Sequence, residues 1–285
     1  MGIYITNGPP IFSTNSKIDL VISYYKEDLD WLQNYAHIPF RHIYIYNKGP
    51  GTPNTTIPHT EIRLPNIGRC DHTYLYHIVT KYDTLAPVTV FTTGSSDLPH
   101  KKDQLAFTVT KAAETNNSVF HGYRFNHVAN ELYNFRLDEW QATHSNNKGG
   151  VDELHPAMIQ PFGRWYESLF PGVKATFATF GGVFAVSMEH VHQHTIDYYQ
   201  RLLEEFPNHS NPEVGHYFER AWIAVFDPVP ANCLYEKESA KSILPTLFYF
   251  FIAVCILCTI LYIYIVNPTY ITRMVSTVSF ALPRK

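Results

Sequence analysis

A mainly parallel α/β sheet flanked by helices is the fold the sequence predicts for residues 1–228, with one membrane-spanning helix near its end. Three observations carry that prediction. Short apolar, β-rich runs alternate with helical segments from Lys17 onward, the pattern of a parallel sheet with helices on both faces. The stretches richest in polar chemistry, Tyr24–Asp30, Asn66–Asp71 and Thr92–His100, fall at the carboxyl ends of those runs, where such sheets bind ligands. The third is "ILPTLFYFFIAVCILCTILYIYIV", Ile243–Val266, uncharged over the ~20 residues a bilayer requires.

The elements follow in order. "KIDLVISYY" reads as a strand, and "EDLDWLQNYA" as a helix with acids in its first turn. "RHIYIYN" is the next strand, "KGPGTPN" a turn cluster, and "TEIRL" a third strand. The loop "LPNIGR" then leads into a helix from Asp71, with Leu75, Ile78, Val79 and Tyr82 on one apolar stripe. "VTVFTTG" is a buried strand, "QLAFTVTKAAETN" a helix and "SVFHGY" a strand. Residues 124–163 are polar and loop-rich and take no assignment. "ATFATFGGVFAVS" reads as a strand, or a strand pair around Gly181–Gly182, followed by the helices "EHVHQHTIDYYQRLLEEF" and "EVGHYFERAWIAVF". Residues 229–242 form a linker, 243–266 the membrane helix, with Pro245 in its first turn where a missing N–H costs little, and 267–285 a short tail.

Composition narrows the partners. With 285 residues and a formal net charge of −3, the chain carries no electrostatic footprint of a nucleic-acid binder. Its 20 tyrosines and 19 phenylalanines suit an aromatic core or stacking surfaces for carbohydrate. Cys255 and Cys258 fall in the membrane segment, leaving Cys70 and Cys233, which is no disulfide framework. "MGIYITNGPPIF" has neither the basic nor the apolar region of a signal peptide. A cytosolic domain on a C-terminal anchor is therefore expected, although the charges flanking the helix leave a lumenal orientation open.

Several stretches could carry chemistry. A helix start has unpaired N–H groups and the positive end of a dipole, so an arginine there is no cap partner. Asn66, Gly68 and Arg69 therefore read either as a phosphate or diphosphate cradle or as a connecting turn with Arg69 on a surface carboxylate. Asp97, after the strand "VTVFTT", is either a hard ligand for a divalent ion or part of a Ser/Asp turn capping the next helix. His216, Glu219 and Arg220 share one helix face. A His–Glu pair there can serve as metal ligand and general base, or as an internal salt bridge. His190, His192 and His194 lack the H-E-x-x-H order and read as solvated residues at a helix start.

The stretches "DLVISYYKEDLDWL", "IYIYNKG", "LPNIGRCDHTYLYHIVTKYDTLAPVTVFTTGS", "GGVFAVSMEHVHQHTIDYYQRLLEEF" and "GHYFERAW" together resemble the uncharacterised DUF3431 family over about residues 18–228. More distantly, the layout is similar to the GT-A glycosyltransferases, Rossmann-like sheets that bind a nucleotide sugar. That resemblance implies a GT-A-like fold, with Asp19 to Glu27 near the base and ribose and Asn66, Gly68 and Arg69 near the diphosphate. It implies a divalent metal, Mn or Mg, at Asp97, and Glu219 or His216 near the acceptor. The D-x-D position of such enzymes reads Ser95-Ser96-Asp97, without the first acid. The expected function is a membrane-anchored transferase moving a sugar from a nucleoside-diphosphate donor to a glycan or protein hydroxyl. The alternative is a non-catalytic glycan- or partner-binding membrane protein that keeps the fold. A metal hydrolase built on the histidines is a third reading.

Overall fold

Leu20, Ile22, Ile43, Ile45, Val88 and Val90 join one apolar cluster, while Val21, Tyr44, Tyr46 and Phe91 join another. That period-two division is what a sheet covered on both faces imposes on its strands. The computed structural model describes residues 3–4, 16–126, 130–137, 153–237, 252–262 and 265. Met1–Lys237 form one compact unit and Glu238–Lys285 a second.

The main sheet has six strands in the order β1-β4-β3-β2-β5-β8: β1 Ile3–Tyr4, β2 Ile18–Tyr24, β3 His42–Asn47, β4 Thr60–Arg63, β5 Val88–Thr93 and β8 Phe184–Ser187. Strand β2 pairs in parallel with β3 (Leu20 opposite Ile43) and with β5 (Leu20 opposite Val90), and β3 pairs in parallel with β4. Strands β1 and β8 close the edges antiparallel. The mainly parallel sheet with flanking helices is thus present. A smaller sheet sets β6, Phe120–Arg124, between β7, Phe177–Ala178, and β9, Leu234–Glu236. Because β9 pairs with β6 and Cys233 is buried, the ordered unit runs to Lys237, into the stretch expected to be linker.

The described helices of this unit include α1 Arg69–Lys81, α2 Pro99–Thr115, α3 Asn130–Tyr133, α4 Phe162–Leu169, α5 Met188–Val191, α6 Ile196–Glu204 and α7 Glu213–Val225, and α1 and α7 lie on one face of the main sheet. Tyr74 and Phe91 stand 4.9 Å apart there, and Phe184 and Trp222 4.8 Å apart. On the other, α2, Pro99–Thr115, buries Leu105, Val109 and Ala112. The abundant aromatic residues go largely into the core. Leu75 and Ile78 are fully buried on the α1 stripe, as the spacing predicts.

Two helical segments differ from expectation. "EDLDWLQNYA" yields only a 3-10 turn, Asp30–Tyr35, opened by the Asp30 N–H donating to Asp28 Oδ1 at 2.9 Å. The long histidine-led helix is split into a four-residue turn, Met188–Val191, and a helix, Ile196–Glu204. The three histidines stand at the break. His190, expected to be solvated, is buried, with Nδ1 2.7 Å from Ser118 Oγ and 2.8 Å from Ser187 Oγ. His192 and His194 donate from Nε2 to the carbonyls of Tyr82 and Asp227, each at 2.9 Å. Three rings with four partners between them hold chain segments together.

In the second unit, residues 252–262 are helical, and Ile252, Val254, Ile256, Leu257, Ile260, Leu261 and Tyr262 are all exposed. Among the described residues no helix is long and apolar enough to cross a membrane. The remainder of the expected span, 243–251, 263–264 and 266, and the tail 267–285 lie outside the described residues.

Candidate functional site

The chain runs from β2 outward through β3 and β4, then returns to β5 on the other side of β2. That reversal puts the topological switch point at the carboxyl ends of β2 and β5, the crevice position at which open α/β sheets bind ligands. Glu27 sits in it. Its Oε2 accepts the N–H groups of Tyr25 at 2.7 Å and Lys26 at 3.0 Å, folding the chain back after β2. A Cβ at Gly94, just past β5, would lie 2.6 Å from the same oxygen, so any larger residue would displace the Glu27 side chain. Trp31 Nε1 donates to the Gly94 carbonyl at 2.8 Å and fixes the turn.

Beside this crevice the start of α1 is strained. Gly68 has φ 63° and Arg69 φ 54°. The left-handed region is open to glycine but costs an arginine roughly 1–2 kcal/mol. Lys48, at the end of β3, holds the conformation by donating from Nζ to the Ile67 carbonyl at 2.5 Å and to the Arg69 carbonyl. Burial pushes that ammonium down to about 7. The Gly68 N–H donates to the His209 carbonyl at 2.9 Å. The Arg69 stem lies against α7, where a Cβ on Gly215 would be 3.3 Å from Cδ, and Nη1 donates to Asn211 Oδ1 at 3.2 Å. Strain of this kind persists where the surroundings over-determine it, and it clusters at functional sites.

Glu219 approaches from α7. Its Oε1 accepts the Gly181 N–H at 2.6 Å, and its Oε2 lies 3.8 Å from Arg220 Nη1 and 4.0 Å from His216 Nδ1. Gly181 and Gly182, with φ 90° and 67°, make the turn that a side chain would block: a Cβ at Gly182 would meet Cys70 Sγ at 3.0 Å. His216 is driven well below its usual range by burial and by the charges of Arg69 and Arg220, so the ring is neutral. Lys101, on the first turn of α2, donates to Ser95 Oγ at 2.8 Å and Thr93 Oγ1 at 3.1 Å.

Asp71 lies beneath, fully buried, with Oδ1 accepting Trp222 Nε1 at 2.9 Å. Burial and then the charge of Glu219 push it up to about 7, against an ordinary 3.8. Between those values the native state keeps a proton that the unfolded chain has released. The contribution of Asp71 to stability is therefore present below pH 3.8 and declines as pH rises through about 7. Asp71→Asn is expected to flatten that decline in urea unfolding across the window. An unchanged slope would show that the carboxyl titrates elsewhere.

The structure brings Glu27, Gly68, Arg69, His216 and Glu219 to the strand-end side of the sheet. Asn66 is exposed at the entrance of the same loop. Asp19 requires correction. It stands at the opposite end of β2, about 17 Å of strand from Tyr24. There Arg41 donates to it from Nε at 2.9 Å and from Nη2 at 2.6 Å, and His42 Nδ1 is 3.5 Å away. It holds the amino ends of β2 and β3 together and is not part of the crevice. Lys48 and Lys101 are the residues that sequence reasoning missed. Lysine in the first turn of α2, against the helix dipole, was the available signal.

The implied divalent metal does not fit these residues. Asp97 is exposed in the turn after β5, and the two positions before it are serines whose hydroxyls are already hydrogen-bonded. The nearest charged partner of Ser95 is the Lys101 ammonium, which repels a cation. Among the described residues no group of three or more His, Cys, Asp or Glu side chains is placed to hold a metal ion.

A hollow of about 300 Å³, lined by His155, Met158, Trp165, Glu205 and Val214 among others, contains none of the predicted site residues. No curated protein matches the chain. A family model described as "Protein of unknown function (DUF3431)" matches residues 20–242, from the third residue of β2 through β9. The chain belongs to the DUF3431 family.

Proposed function

We propose that this protein transfers a sugar from a nucleoside-diphosphate donor to a hydroxyl of a glycan or protein acceptor. In this reading the α/β unit is GT-A-like, and residues 243–266 anchor it in a lipid bilayer. The single observation that carries the proposal is Arg69: a non-glycine residue at φ 54°, braced by Lys48, at the crevice where the sheet reverses. A guanidinium carried by a strained backbone at the first turn of α1 matches a diphosphate leaving group. In a direct displacement the bond from the anomeric carbon to the diphosphate oxygen breaks as the acceptor oxygen bonds to that carbon. The acceptor proton passes to Glu219, and the neutral His216 lines the acceptor side. The anchor is supported by the apolar residues exposed all round the described helix 252–262.

The test is a screen of nucleotide sugars with the full-length protein in detergent, reading released nucleoside diphosphate. One donor is expected to turn over, and Glu219→Gln is expected to lower its kcat by about a hundredfold or more, within the range of lost general-base catalysis. No turnover with any donor, together with no nucleotide-induced thermal shift, overturns the proposal. Ser95, standing where a first acid would be, favours a second reading in which the domain binds glycan or a partner without turnover. Donor binding without product decides for it.

A further inference from the structure

The positive charge at the end of β5 comes from Lys101. Its ammonium reaches back from the first turn of α2 to Ser95 Oγ and Thr93 Oγ1. Both are neutral hydroxyls, and among the described residues no carboxylate pairs with it within 4.0 Å. A Cβ on Gly181 would sit 3.6 Å from Lys101 Cγ, and the same glycine donates its N–H to Glu219, so the Lys101 stem and the candidate base flank one residue. Arg69 is near enough that its charge, after burial itself, helps to push Lys101 down, while Glu219 and Glu27 pull it up. Gly181 packs on Lys101 and its neighbour Gly182 on Cys70, the residue after Arg69, so the two cations stand at the first turns of α2 and α1, on helix ends that disfavour them. An anion between them relieves both penalties. Ser96, meanwhile, is fixed by Thr92 Oγ1 at 2.6 Å and the Thr93 carbonyl at 2.8 Å, so it cannot turn to become a ligand without breaking both bonds.

Resting on the transferase reading, we propose that Lys101 takes the place of a divalent metal, so that the donor diphosphate is held between Lys101 and Arg69 and binds without a metal ion. Lys101 is then the residue that neutralises the departing diphosphate on the β5 side, and Asp97 is dispensable for binding.

The experiment is calorimetric titration of the full-length protein with inorganic pyrophosphate and with uridine, guanosine and cytidine diphosphates, in EDTA and in Mn²⁺. Affinity for the best of these is expected to agree within about twofold between the two conditions, and Asp97→Asn is expected to leave it unchanged. Lys101→Met is expected to weaken it by about tenfold or more, the loss of one charge-assisted contact, and Lys101→Arg to restore most of it. Binding that requires Mn²⁺ and is lost in Asp97→Asn, with Lys101→Met at wild-type affinity, overturns this inference and leaves the transferase reading standing. Absence of binding by all four probes in both conditions overturns the transferase reading and this inference with it. Should Lys101→Met not fold, the EDTA comparison and Lys101→Arg decide alone.

Discussion

Arg69→Gly is expected to weaken nucleoside-diphosphate binding by about a hundredfold while leaving the thermal unfolding midpoint within about 3 °C of wild type. Loss of a hydrogen-bonded charge from a diphosphate accounts for the binding term, at about 1.5–3 kcal/mol. The stability term is a balance. Glycine at φ 54° recovers roughly 1 kcal/mol of backbone strain. Against it stand the lost stem packing on Gly215 and the lost bond to Asn211. For a unit of this size about 1 kcal/mol corresponds to roughly 2–4 °C. A residue that is merely structural would lose stability together with binding. Separation of the two, binding lost and stability kept, is the signature of strain held for a ligand. If Arg69→Gly binds like wild type, the guanidinium serves only to join α1 to Asn211.

Glu213→Ala is expected to be the most destabilising single change in the α/β unit, at about 3 kcal/mol or more. The side chain is fully buried at the start of α7. Its Oε1 accepts the Leu137 N–H at 2.9 Å and the Tyr217 hydroxyl at 2.8 Å. Its Oε2 accepts the Ala157 N–H at 2.9 Å and Gln160 Nε2. Removing one carboxylate thus strands four donors from three chain segments. Burial alone pulls this carboxyl up, and the four hydrogen bonds outweigh it, leaving it below its usual 4.5. The stabilisation is therefore present above pH 4.5 and is lost as acid takes the group through its lowered folded value. Urea unfolding at neutral pH measures the loss. A change under about 1 kcal/mol would mean that the three segments hold without this hub.

Much of this architecture was legible because burial on both faces writes itself into composition. "DLVIS", "IYIY" and "VTVF" can only be inner strands, and they fall in β2, β3 and β5. The Asn66–Arg69 loop stood out because an arginine at a helix start contradicts capping. What it could not reveal was the left-handed φ of a non-glycine residue, or the brace from Lys48, which reads in sequence as part of a plain turn. Asp19 was misplaced because it was carried over from a resemblance: chain direction alone puts it at the amino end of β2, away from the carboxyl ends where such sheets bind ligand, and there Arg41 covers it. His190 misled for a different reason. Its hydroxyl partner Ser118 lies 72 residues away in the chain, and only the pairing of Val119 with Ala185 brings them together. Glu213 reads locally as an ordinary first-turn acid, and three of its four donors, from Leu137, Ala157 and Gln160, become visible only when distant segments are packed on it.

The most direct measurement of the central claim is a crystal structure of the protein with a bound nucleoside diphosphate in EDTA. The account predicts diphosphate density in contact with Arg69 and Lys101 at the carboxyl ends of β2 and β5, with Glu219 facing the end from which the sugar would leave. Density elsewhere, such as the hollow beside Trp165 and Met158, with Arg69 and Lys101 untouched, would contradict it.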